Sequence, residues 1–178
     1  MDVDDVTTLF ALLALLANFG AVALVVVWLC GERCRRVRGW VSDSALGLGA
    51  LVAGVATAGS LYLSEVAHFE PCELCWYQRI CMYPLALVLT VAAVRRDWSV
   101  RLVALVLAGV GLALSIWHTL LQRVRELEGG ISCDPTNPCT LTLVEKFSYL
   151  TIPSMAASAF LLILLLLVVG APRSQERT

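Results

Sequence analysis

The sequence predicts an all-α membrane protein: a four-helix transmembrane bundle with an additional N-terminal transmembrane helix, five spans in all, and the N-terminus outside. Three observations carry that expectation. Of the 178 residues 59% are apolar and only 15% are charged, far from the composition of a soluble domain. The apolar residues gather into blocks of about 18 to 21, the length at which a helix rising about 1.5 Å per residue crosses a hydrocarbon core of roughly 30 Å. Arginines collect in alternate connections, which sets the orientation.

The first block, Leu9 to Leu29, follows Asp2, Asp4 and Asp5 instead of a basic region and precedes no small-residue cleavage site, so it reads as a retained helix and not a secretory leader. Asn18 within it suits a contact between helices. The second block runs from Ala45 to Leu63. The third, Cys75 to Val94, reaches spanning length only by including the turn near Cys75, because its unbroken apolar part starts at Ile80. Without that helix the two cysteine-bearing loops would lie on opposite sides. Leu102 to Leu121 and Ile152 to Val169 complete the set. Trp28, Trp40, Trp76, Tyr77, Trp98, Trp117 and Tyr149 fall near the helix ends, where amphipathic rings favour the interface.

Arg33, Arg35, Arg36 and Arg38 follow the first helix, Arg95, Arg96 and Arg101 separate the third from the fourth, and Arg173 and Arg177 follow the fifth, together nine of the 13 basic residues. The positive-inside rule then puts the C-terminus inside and the loops from Val66 to Gln78 and Gln122 to Thr151 on the extracytoplasmic side. The longer loop is of a length uncommon unless functional. Leu141, Val144 and Phe147 recur there at helical spacing beside Glu145 and Lys146, predicting a short helix on the membrane surface. The organisation expected is an N-terminal helix and basic loop (1–43), the bundle with its cysteine loops (44–170) and a cytoplasmic tail (171–178). A net charge of −1 with no basic patch gives no sign of a nucleic-acid partner.

Topology sorts the seven cysteines. Cys30 and Cys34 fall at the inner end of the first helix and read as inert thiols, with an inner thiol pair, a metal set or a lipidation site as alternatives. Cys81 inside the third helix reads as a small apolar packing residue. Cys72, Cys75, Cys133 and Cys139 lie outside, where disulfides persist. Pro71-Cys72-Glu73-Leu74-Cys75 opens a helix, and there amide donors and the dipole favour a thiolate, the attacking species. Arg79, one turn beyond Cys75, can lend it positive charge, and Gln78 can hydrogen-bond nearby. Cys133-Asp134-Pro135-Thr136-Asn137-Pro138-Cys139 closes a small loop. Static disulfides and a four-cysteine zinc site remain alternatives, although a Cys-x-x-Cys disulfide closes too small a loop to stabilise much and the second spacing is unusual for zinc. His118 and Gln122 share a face near the outer end of the fourth helix, and an ionisable group within a span is a functional candidate. A solvated interfacial histidine is the competing reading.

Pro71-Cys72-Glu73-Leu74-Cys75-Trp76-Tyr77-Gln78-Arg79, then Trp117-His118-Thr119-Leu120-Leu121-Gln122, then Cys133 to Cys139, resembles the disulfide bond formation protein B family (DsbB), with the short second spacing closer to its Gram-positive BdbC members. The resemblance covers about Ala45 to Val169. It implies a thiol:quinone oxidoreductase of the bacterial cytoplasmic (inner) membrane, multi-pass, that reoxidises a DsbA-like thioredoxin-fold dithiol oxidase and so supports disulfide formation in exported proteins. The catalytic residues it implies are Cys72, Cys75, Cys133 and Cys139. The partner attacks at Cys133, electrons move to the first pair through a transient link between Cys139 and Cys72, and Cys75 is the thiolate beside a membrane quinone, ubiquinone or menaquinone. Arg79 holds the quinone, and Gln78, His118 and Gln122 are further candidate quinone-binding residues. Met82, Tyr83 and Pro84 are candidates for the pocket lining, with packing and a helix kink as the alternative.

Members of that family usually have four spans, so the helix from Leu9 to Leu29 is a departure, and whether it joins the bundle or only anchors it stays open. Two competing functions are weighed. A transporter subunit or scaffold with stapled loops finds no support in the few charged residues within the spans. The vitamin K epoxide reductase relatives also couple two cysteine pairs to a quinone, but their quinone-proximal Cys-x-x-Cys comes late in the chain, whereas here it precedes the looser pair.

Overall fold

The computed structural model describes residues 3–124, 139–140, 144–146 and 150–171. Among them are helices α1 (Val3–Leu29), α2 (Arg35–Glu65), α3 (Glu73–Arg95), α4 (Arg101–Arg123) and α5 (Ile152–Val169), with two short strands, β1 (Glu145–Lys146) and β2 (Leu150–Thr151), just before α5. All five helices are long and apolar enough to cross a membrane. The expected all-α class with five helices of spanning length holds.

The helices outrun the apolar blocks, chiefly at the N-terminal ends of α1 and α2. α1 starts at Val3 because Asp4 and Asp5 complement the positive start of the helix, and the Thr7 and Thr8 hydroxyls donate back to the Asp4 carbonyl at 3.0 and 2.7 Å. α2 starts at Arg35, ten residues before its apolar block, since solvated arginines propagate a helix readily outside the hydrocarbon. Position 44, the expected boundary between regions, therefore lies inside a continuous helix. α1 and α2 are joined by a 3₁₀ turn over Gly31–Cys34. Gly31 has φ +55°, the left-handed conformation that glycine adopts at the least cost. α3 ends in the same way at Arg96 (φ 54°), where the Asp97 amide donates to the Ala92 carbonyl at 3.0 Å. α5 begins as its apolar block does, with Pro153 in the first turn and the Ser154 hydroxyl accepting from the Thr151 amide at 2.7 Å.

Within residues 144–146, the described part of the segment expected to form a surface helix, a strand forms instead. Glu145 and Lys146 pair antiparallel with Thr151 and Leu150, and Val144 and Leu150 are buried. The chain must return to the start of α5, and it satisfies its backbone by pairing with the incoming segment while both apolar side chains turn into the protein. Leu141 and Phe147 lie outside the described residues.

α2, α3, α4 and α5 pack in a ring, each on the next, and α1 lies outside it against α5. The shared core holds Leu85 and Leu89 of α3, Ala104 and Ala108 of α4, and Phe160 and Ile163 of α5. Lipid tails are as apolar as leucine, so close backbone approach through small residues drives association. Gly111 shows this: a Cβ there would stand 2.3 Å from the Phe160 ring. α1 docks through Ala11, Ala14 and Ala21, with Leu150 and Leu166 across from it, and Lys146 pairs with Asp4 at its first turn. Thus α1 joins the bundle. One end carries Cys72, Cys75 and Cys139; the opposite end carries Arg33, Arg35, Arg36, Arg38, Arg95 and Arg96.

Candidate active site

The site is built on the first turn of α3. Cys72 is its N-cap, with φ −67° and ψ 170°, and the Trp76 amide closes the first helical bond to the Cys72 carbonyl at 3.2 Å. One turn of helix brings Cys75 beside it, and the two free thiols meet with sulfurs 3.0 Å apart. The two sulfurs look into different surroundings. Cys72 is buried with Leu74, Leu121 and Cys139, whereas Cys75 borders a cavity of about 410 Å³ inside the bundle.

His118, 2% exposed on α4, stands on the Cys72 side. The Gln78 amide nitrogen donates to its Nδ1 at 3.1 Å, which leaves the ring proton on Nε2. Nε2 in turn donates to the Cys139 carbonyl at 3.1 Å and lies 3.7 Å from Cys72 Sγ. The histidine therefore ties α3, α4 and the Cys139 segment together. Cys139 itself is in a disulfide, and Cys133 lies outside the described residues. The Cys75 thiol donating to Cys72, and then His118, hold the Cys72 thiol well below its ordinary value, at about 4, against the opposing effect of burial.

Cys72, Cys75 and His118 bring three metal-type donor atoms within 4.8 Å of one another. Zinc–sulfur bonds of about 2.3 Å in a tetrahedron hold sulfurs roughly 3.8 Å apart, wider than this pair.

Arg79 lies on the Cys75 side. Its Nε donates to the Ser60 hydroxyl at 2.8 Å and its Nη2 to the Ser60 carbonyl at 2.9 Å, and its guanidinium stands 5.2 Å from the centroid of the Trp76 ring. α2 and α3 are thus clamped together where the cavity begins. Cys75, Gln78, Arg79, Met82 and Tyr83 line that cavity, whereas Pro84, His118 and Gln122 do not. Gln122 is half-buried one turn beyond His118. The Tyr83 hydroxyl is buried with no hydrogen-bond partner among the described residues. Ser60 was not singled out from the sequence, since a serine in an apolar helix carries no signal of its own. Phe10 and Ala14 of α1 and Phe160 of α5, which complete the walls, were equally silent.

Cys30 and Cys34 are free and sit in the turn at the arginine end, where hydrogen bonding to Cys30, and then burial, push the Cys34 thiol up. Cys81 is free and buried in the core, as its packing reading expects.

Sulfur chemistry of this kind, carried by helices of membrane length, is that of a membrane dithiol–disulfide oxidoreductase. Comparison with known proteins narrows the class. The chain belongs to the family of the disulfide bond formation protein DsbB, whose family model matches residues 42–170. It is 48% identical over 113 residues to a probable disulfide formation protein of Oceanobacillus iheyensis, covering 63% of this chain and 78% of that one. It is 44% identical over 115 residues to disulfide bond formation protein C of Bacillus subtilis, covering 65% and 83%. A probable disulfide formation protein of Deinococcus radiodurans is 43% identical over 133 residues, covering 70% and 87%. No solved structure matches the chain significantly. It is accordingly a multi-pass membrane protein of disulfide bond formation.

Proposed function

We propose that the chain is a thiol:quinone oxidoreductase of the bacterial cytoplasmic membrane, its cysteine loops extracytoplasmic, that reoxidises a DsbA-like thioredoxin-fold dithiol protein and passes the electrons to a membrane quinone. One observation carries this reading: within a single helical turn, Cys72 touches the segment of the second cysteine pair through His118, while Cys75 opens onto an apolar cavity. The pair is placed to take electrons on one side and give them up on the other.

The cavity suits a quinone. It is walled by apolar side chains over most of its surface, with Arg79, Gln78 and Cys75 at one end and a buried, unpartnered Tyr83 hydroxyl that a bound carbonyl would satisfy. A quinone there accepts two electrons. The Cys72/Cys75 dithiol loses two electrons and two protons, the quinone becomes quinol, and the Cys72–Cys75 disulfide forms. Cys75 presents its sulfur to the acceptor, and the Cys72 thiolate, already 3.0 Å away, closes the bond onto it. Arg79, fixed by Ser60, supplies positive charge where the reduced ring gains negative charge.

The test mixes purified protein with a reduced thioredoxin-fold dithiol protein and a soluble quinone and follows quinone absorbance. Wild type is expected to reduce the quinone at the expense of the partner's thiols, and Cys75→Ser to lose that activity. Absence of quinone reduction by wild type, or full activity in Cys75→Ser, overturns the reading.

A further inference from the structure

α1 lies outside the segment shared with the family, which begins at residue 42, yet it supplies one wall of the cavity onto which Cys75 opens. Resting on the quinone reading above, we propose that α1 and α2 form a cleft that holds the isoprenoid tail of the quinone and so sets the register of its head group against Cys75.

The shape of the cavity argues for an occupant with a polar head and a long apolar tail. Ser60, Glu70, Cys75, Gln78 and Arg79 are gathered at the cysteine end. On α2 the lining runs from Leu63 to Leu51, about 18 Å of helix, and Leu51, Val52, Val55 and Ala56 leave the deeper part apolar. Facing them, α1 contributes Phe10, Leu13, Ala14, Leu16 and Ala17. A ring without a tail occupies only the head of such a space.

The route in is equally defined. α1 rests on α5 and meets α2 sparingly, so a cleft separates α1 from α2. At the cysteine end the Phe10 ring closes it, seated so tightly on Gly59 that a Cβ there would stand 2.7 Å away. Beyond Phe10 the cleft opens: Leu16 is 66% and Leu51 62% exposed, and both belong to its lining. In a bilayer those side chains face lipid tails, the medium from which an isoprenoid chain arrives. Such a tail moves from one apolar surrounding to another, so its gain is packing and orientation and not the hydrophobic effect. The cleft accordingly acts by fixing where the head group sits.

The experiment compares Ala17→Trp, which fills the cleft, and Phe10→Ala, which unstoppers it, with wild type and with Phe19→Ala, a change at an exposed position of α1 that does not line the cavity. Protein in vesicles is assayed with an isoprenoid quinone and with a tail-less benzoquinone, and the isoprenoid quinone retained through detergent purification is extracted and measured. The expected result for Ala17→Trp is a KM for the tailed quinone raised about fivefold or more, an unchanged KM for the tail-less one and loss of retained quinone. Phe10→Ala should lose the preference between the two, and Phe19→Ala should match wild type. If wild type reduces both quinones and Ala17→Trp changes neither KM nor retention, the tail cleft is overturned while the oxidoreductase stands. An equal rise for both quinones also overturns it, as the head site would then be what was damaged. If wild type reduces neither quinone, the underlying reading fails and this one with it. Should Ala17→Trp not accumulate, Leu13→Trp probes the same wall.

Discussion

Cys72 and Cys75 are separated by two residues and by a large difference in surroundings. The hydrogen bond from Cys75 outweighs the burial that opposes it, and His118 adds to the same effect. Because the folded value of Cys72 is depressed from 9.0 to about 4, the stabilisation of the reduced protein by this thiolate is complete above about pH 9 and is lost as pH falls through about 4. The thiolate absorbance of the reduced protein should therefore persist at pH 6 to 7 and disappear near pH 4. In Cys75→Ala the transition should move up by more than in His118→Ala, following the order of the two causes; a midpoint unmoved in both variants would sink the assignment. Gln78 enters through the ring, because its amide at Nδ1 keeps the Nε2 proton directed at the Cys139 carbonyl and Cys72.

The helices were legible because each is an apolar block of spanning length, and α5 has the very bounds of its block. Their extensions were not, since residues such as Asp4 or Arg35 continue a helix into water without altering the apolar pattern. Residues 144–146 misled for a related reason: spacing read as a helical face is shared by a chain that simply buries Val144 and turns to pair with Leu150 and Thr151. The Cys72 to Arg79 part of the site was readable because a single turn of helix assembles it. Ser60, the Phe10 wall and the carbonyl of Cys139 enter only through contacts between distant segments, which spacing does not encode. Packing between helices yields its own test. With Phe160 against Gly111, Gly111→Ala should destabilise the bundle by about 1–3 kcal/mol in thermal unfolding in detergent, and Phe160→Leu should recover part of it. A Gly111→Ala protein as stable as wild type would show that the α4–α5 contact is looser than described.

Across the whole molecule, α5 touches α1, α2 and α4, so the element after the cysteine loop organises both the ring and the added helix. Among the described residues Cys72, Cys75 and Cys139 lie at one end, and the exposed Cys30 lies in the turn at the other, beside Arg33, Arg35 and Arg36. The orientation proposed for the membrane then has a direct readout. In intact cells a membrane-impermeant maleimide should leave Cys30 unlabelled until the membrane is permeabilised, and labelling of Cys30 from outside would reverse the topology.

The connection between α1 and α2, with Cys30 just before its 3₁₀ turn and Cys34 at the end of it, has one more consequence. α2, at 31 residues, places about 46 Å of helix between that thiol pair and the start of α3. Thiol–disulfide exchange demands contact between sulfurs, so no sequence of exchanges inside one molecule connects the two ends. α2 acts as an insulator: each thiol pair equilibrates only with the reductants and oxidants that reach its own end, and a potential difference between the two can be maintained without leaking through the protein that spans it.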